Sequence, residues 1–188
     1  MHVVTPAAID QAVAVLRGGG VIAYPTEGVW GLGCDPFDET AVLRLLALKQ
    51  RTVDKGLILV AATAAQFDTL VDWAGLDDAQ RDAVLASWPG PHTWIVPVTA
   101  RVPRWIRGDH DGVAVRVSSH RGVADLCAGF GGPLVSTSAN VAGDPAPTTR
   151  AGLGPVISAG VDLVVAGETD GRGTASTLRD ARTGRQLR

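Results

Sequence analysis

The sequence predicts a single-domain α/β (α+β) protein over 1–188: a twisted sheet of mixed parallel and antiparallel strands, flanked by helices. Three observations predict it. Short apolar runs alternate with segments of helical periodicity for most of the 188 residues, the signature of helices layered on a sheet. The run at 93–98 and the C-terminal pieces lack helical crossovers between them, so the sheet is mixed rather than purely parallel. A chain that is 46% hydrophobic and 19% charged can bury a substantial core.

The elements follow in order. Thr5-Pro6 is an N-cap followed by proline at the first helical position, and Ile9, Ala12, Val13 and Leu16 recur at helical spacing. Gly18-Gly19-Gly20 stops that helix. Val21 to Tyr24 is a short buried strand ended by Pro25. A glycine-dense stretch, P-T-E-G-V-W-G-L-G-C-D-P, follows. Asp38 caps a second helix carrying Val42, Leu45, Leu46 and Leu48. Leu57 to Ala61 has no polar face and reads as a central strand. Thr63 and Gln66 suggest a capping box for a third helix, and a fourth runs from about Asp78 to Ser87.

Trp88-Pro89-Gly90-Pro91 is a rigid turn. Thr93 to Val98 is a strand in which Pro97 suggests an edge or a bulge. Arg101 to Arg107 is an irregular or short helical connection. Val113 to Val117 is a buried strand bearing one charge, Arg116; Ser118 or Ser119 caps the helix after it, to about Ala128. Pro133 to Val135 leads as a strand into S-T-S-A-N. Thr148 or Thr149 caps a glycine-interrupted helix, Val161 to Val165 is a strand, and G-E-T-D-G-R-G-T is a flexible loop. Short strands close the chain around D-A-R-T-G.

Composition excludes several classes. A net charge of −2 argues against a protein that coats nucleic acid, so any anion site must be local. Two cysteines are too few for a disulfide framework, and the start M-H-V-V-T-P has neither a basic region nor a long apolar run. No run approaches membrane-spanning length; the expected compartment is the cytoplasm. G-x-x-x-x-G-K-[ST], G-x-G-x-x-G and G-x-S-x-G are absent. His2, His92, His110 and His120 have no metal-ligand spacing, so no protein-held metal is expected. D-H-D at 109–111 reads as a solvated loop, and Cys34 as a small buried residue.

Polar clusters sit at the strand ends, where open α/β sheets bind ligands. Lys49 and Lys55 are the only lysines in a chain whose other cations are arginines, and Arg51 stands between them. Such a turn can grip several phosphate oxygens, although for the segment taken alone a solvated loop at a helix C-terminus is the better explanation. Arg116 is either a structural ion pair or a clamp for a carboxylate or phosphate. S-T-S-A-N offers three hydroxyls and an amide; if the strand runs through Ser138, Ser136 and Ser138 share a face. Thr26-Glu27 forms the fourth cluster.

Taken in order, G-G-V-I-A-Y-P-T-E-G-V-W-G-L-G-C-D, L-K-Q-R-x-x-x-K-G-L-I-L, W-P-G-P-H-T, V-A-V-R-V and P-L-V-S-T-S-A-N closely resemble the YrdC-like family, the threonylcarbamoyl-AMP synthases. The resemblance runs from about residue 5 to the last strand, and the length is similar to the bacterial single-domain branch. It implies a YrdC-like fold around a concave cavity. It also implies synthesis of threonylcarbamoyl-AMP and pyrophosphate from L-threonine, bicarbonate and ATP, for modification of tRNA next to the anticodon. The implied nucleotidyltransferase uses Lys49 and Arg51 as catalytic residues. The resemblance further implies that ATP is held by Lys49, Arg51, Lys55, Ser138, Asn140 and Ser176, with Mg2+ carried by the phosphates, and that threonine is held by Thr26, Arg116 and Ser136. Expected partners are the downstream threonylcarbamoyl-transfer machinery and a weak contact with tRNA, with no membrane. Two departures stand out: Arg179 precedes Asp180 in the late S-T-[IV]-x-D motif, and Thr52 replaces a frequent proline. The alternatives are an RNA-binding or ribosome-maturation module using the same basic cavity, and a carbamoyl-transfer module related by fold to hydrogenase-maturation proteins.

Overall fold

The structure is a computed structural model that describes residues 5–188; His2 and the rest of residues 1–4 lie outside it. Eight strands form one sheet: β1 (Ile22–Pro25), β2 (Trp30–Gly33), β3 (Ile58–Ala61), β4 (His92–Pro97), β5 (Gly112–Val117), β6 (Leu134–Ser138), β7 (Leu163–Val164) and β8 (Thr177–Asp180). Their spatial order is β7-β1-β2-β6-β3-β5-β4-β8. The β1/β7, β3/β5 and β4/β8 pairs are parallel and the other four antiparallel, so the sheet is mixed as expected. The six α-helices among the described residues are α1 (Pro6–Arg17), α2 (Glu39–Leu48), α3 (Asp78–Ala86), α4 (Arg104–Arg107), α5 (Arg121–Phe130) and α6 (Pro155–Gly160).

Helix starts follow capping chemistry. Thr5 Oγ1 accepts from the Ala8 amide at 3.3 Å, and Asp38 Oδ1 from the Ala41 amide at 3.0 Å. The capping box belongs to Asp77 and Gln80 at α3, not to Thr63 and Gln66. Only a 3-10 turn, Ala64–Phe67, follows Thr63. The Gln66 side chain instead ties the Ala62 amide to the Cys127 carbonyl of α5. His120, not Ser118 or Ser119, caps α5, because both serines are taken up by a buried carboxylate described below. Thr149 caps a 3-10 turn, Arg150–Gly152; the helix beyond it starts at Gly154 with Pro155 in its first turn.

The glycine-dense stretch contains a strand that propensity hides: β2 reads W-G-L-G. A Cβ at Gly33 would press on the Tyr24 ring and the Val135 carbonyl, so glycine here makes room for a buried tyrosine beside its own hairpin partner. Pro97 does not mark an edge. β4 lies between β5 and β8, and the β8 pairing stops at Ile95, so Pro97 sits past its end.

Register decides the two faces. Ile58 is paired with Ala114 and Ser136, and Val60 with Arg116 and Leu134. Cross-strand partners share a face, so Arg116 and Ser136 project together. Further along that face, Ile22, Tyr24, Val60 and Leu134 pack on α1 and α5 through Ile9, Val13, Leu16, Val123 and Leu126. The opposite face carries the larger core, with Trp30, Leu32, Leu59, Val115 and Val135 packed on α2. The sheet is therefore covered on one side, and on the other only as far as α1 and α5 reach.

Candidate active site

Beyond that reach lies a cavity of about 440 Å³. The two residues read as catalytic, Lys49 and Arg51, line it. So do the others read as ATP or threonine contacts: Lys55, Ser138, Asn140, Ser176, Thr26, Arg116 and Ser136. Five cations and two carboxylates surround it, Arg188, Glu27 and Asp144 being those to which sequence reading assigned no role. The chain's net charge of −2 conceals a locally positive pocket.

Lys49 is the C-cap of α2 and is buried. Its ammonium donates to the carbonyl oxygens of Ser138 and Asn140. Its own carbonyl accepts from the Ala142 amide at 2.8 Å. One lysine thus fixes both sides of the loop that follows β6. Burial first, and the Arg51 charge second, bring its pKa down to about 8. Arg51 donates to the Gly56 carbonyl at 3.0 Å. Burial and then Arg188 lower its pKa, against the opposing pull of Asp54. Lys55 is exposed at the rim.

At the other end, Thr26 closes the β1–β2 turn by donating its hydroxyl to the Val29 carbonyl at 2.7 Å, which leaves its oxygen free to accept. Arg116 is an ion pair and a cavity residue at once. Its Nη1 donates to Glu27 Oε2 at 2.6 Å, yet its Nε is buried with no partner among the described residues. Burial pushes the Glu27 carboxyl up, but Arg116 and the hydrogen bonds around it outweigh burial and hold it below the usual range. Asn140 spends its amide NH2 on the Val141 and Asp144 carbonyls, while its Oδ1 is buried with no partner among the described residues. Ser176 shares a 2.7 Å hydrogen bond with Thr93.

Among the described residues five buried side-chain atoms lack a partner, and three of them, Arg51 Nε, Arg116 Nε and Asn140 Oδ1, belong to cavity residues, whereas Trp30 Nε1 and Arg179 Nε lie elsewhere. Such atoms are costly unless a ligand completes them. Among the described residues no three His, Cys, Asp or Glu come together as a metal cluster, and Cys34 and Cys127 are free and buried. Cys34 is no nucleophile: burial raises its thiol well above the ordinary range. Among the described residues no helix is long and apolar enough to cross a membrane.

Residues 14–188 match a family model for Sua5, YciO and YrdC proteins that carries the description "Telomere recombination". A threonylcarbamoyl-AMP synthase of Xanthomonas euvesicatoria is 59% identical over 183 residues, covering 96% of each chain. Among solved structures, the H234A/Y235A variant of P. abyssi Sua5 aligns with a TM-score of 0.89 at 32% identity over 96% of this chain. P. abyssi Sua5 complexed with L-threonine aligns with a TM-score of 0.84 at 34% identity over 92%. The chain spans 55% and 50% of those two Sua5 chains.

Proposed function

Because the chain belongs to the Sua5, YciO and YrdC family, we propose that it is a threonylcarbamoyl-AMP synthase, an enzyme of the nucleotidyltransferase class acting as one domain over 1–188. Relatives of nearly equal length bear that name, and a related structure holds L-threonine. The observation that carries the reading is that one cavity is lined both by the cations Lys49, Arg51 and Lys55 and by Thr26, Arg116 and Ser136. We read this as a division into a phosphate end and a threonine end.

The reaction this division supports is an adenylation. The neutral threonine amine adds to carbon dioxide and sheds a proton to water, or condenses with bicarbonate and sheds a water molecule, to give a carbamate. A carbamate oxygen then bonds to the α-phosphorus of ATP while the bond from that phosphorus to the bridging oxygen breaks, and pyrophosphate leaves with the electron pair. Charge on the phosphates grows most at the leaving pyrophosphate, where Lys49, Arg51 and Lys55 would neutralise it; Arg188 would add a fourth cation. Ser138, Asn140 and Ser176 would orient the nucleotide by hydrogen bonds, and Arg116 would hold the threonine carboxylate with its unpaired Nε edge. No covalent nucleophile is required of the chain, whose main task is positioning. ATP would enter as its magnesium complex. With no carboxylate cluster among the described residues to ligate the ion, phosphates and water would hold it. The product would pass to the machinery that modifies tRNA, in the cytoplasm, where the free buried thiols are at home.

The test is product analysis. Incubation with ATP, magnesium, threonine and 13C-labelled bicarbonate should give an adenylate carrying both threonine and the labelled carbon. Formation of threonyl-AMP without that carbon would overturn the assignment.

A further inference from the structure

Glu27 has no part in the adenylation just described, yet it is the most elaborately held carboxylate in the protein. Its side chain is 6% exposed and that of its partner Arg116 7%, and both residues lie on the cavity wall. Oε2 accepts from Arg116 Nη1 at 2.6 Å. Oε1 accepts from Ser118 Oγ at 2.8 Å and from the Ser119 amide at 3.0 Å. Oε1 is filled, whereas Oε2 receives Arg116 alone and keeps acceptor capacity. Arg116 likewise keeps its Nε unpaired.

A buried carboxylate against an arginine works against the grip of that arginine on an anion, because it cancels the positive charge and repels the incoming negative one. The arrangement makes chemical sense for a ligand that carries both signs a few ångströms apart. We propose that Glu27 and Arg116 act as a dipolar pair that reads an α-amino acid as a zwitterion. Arg116 takes the α-carboxylate and Glu27 supplies the counter-charge to the α-ammonium, which makes Glu27 the residue that selects amino acids over hydroxy acids of the same shape. This rests on reading the Thr26–Arg116–Ser136 end as the threonine subsite. Once the ammonium has given up a proton to water and the free amine has become a carbamate, the new negative charge faces Glu27 and is driven toward the cationic end.

The experiment is titration calorimetry of the full chain with L-threonine and with 3-hydroxybutyrate, which keeps a carboxylate and the hydroxyl but has no amine. ATP affinity serves as the control for folding. The wild type should prefer threonine, and Glu27→Gln should weaken threonine by about tenfold or more, the size of one charge-assisted contact. The same substitution should leave 3-hydroxybutyrate unchanged or tighter. Equal weakening of both ligands would overturn the proposal, because Glu27 would then merely hold Arg116 in place. A wild type that binds both ligands alike would overturn it without any variant, should Glu27→Gln fail to fold. A wild type that binds ATP but neither ligand would overturn the subsite reading itself, and the dipolar pair with it.

Discussion

At the scale of single residues, the site is governed by where charge is buried. Lys49 titrates near pH 8 because desolvation and Arg51 favour its neutral form. A bound triphosphate favours the charged form. ATP affinity should therefore be full below pH 8 and fall as pH rises through it, and binding near pH 8 should take up protons, seen as a dependence of the calorimetric enthalpy on buffer. A flat affinity between pH 7 and 9.5 would remove Lys49 from the phosphates. Lys49→Ala and Arg51→Ala should each abolish adenylate formation in protein that still folds; near wild-type turnover in either would sink its catalytic role. Arg116→Ala has two consequences. It should raise the threonine requirement sharply, and it should cost about 3–5 kcal/mol of stability by leaving Glu27 buried and unpaired. Denaturant melts check the second; a cost within about 0.5 kcal/mol would mean that the pair is not buried in solution.

The same scale shows what the sequence could reveal. Lys49 and Arg51 were readable because a chain rich in arginine placed its two lysines around one turn. Whether Arg116 was an ion pair or a clamp could not be decided from V-A-V-R-V, since its partner is 89 positions away. Arg188 and Glu27 escaped for the same reason: their meaning comes from a tertiary neighbour, not a local pattern.

At the scale of elements, the misreadings share a cause. β2 was hidden because its glycines serve a neighbour, Tyr24, rather than their own strand. The Thr63–Gln66 capping box and the Ser118 or Ser119 cap failed because each polar side chain found a distant partner. Gln66 bridges to α5 and both serines bind Glu27. The 167–174 segment, expected as a flexible loop, crosses directly over Gly28, where a Cβ would collide with the Thr174 carbonyl oxygen. His120 touches the Glu168 carbonyl at 3.1 Å and helps to pin it. Gly28→Ala should thus displace the cavity wall at Thr174–Ser176, raising the KM for ATP or threonine more than it lowers the melting temperature. A variant with wild-type KM values would show that this wall moves freely out of the way.

At the scale of the whole molecule, the alternation of strands and helices gave the layers and the mixed sheet, but not the strand order. Pairing of β6 between β2 and β3 joins segments about 74–107 positions apart, and no turn signal encodes it. That pairing brings S-T-S-A-N between the P-T-E turn and the Lys49–Lys55 turn, and so builds one cavity from three remote stretches. The reading of an RNA-binding module on the same cavity predicts a different behaviour, a steep loss of RNA affinity with salt. With a net charge of −2 and its cations gathered in a pocket, the chain should instead bind RNA weakly while binding ATP.

The measurement that tests this account most directly is pyrophosphate release from ATP and magnesium, with threonine and bicarbonate each supplied or withheld. The account predicts release only when both are present, because the attacking carbamate needs both. Release that ignores either one, or none at all from a folded protein that binds ATP, would contradict it.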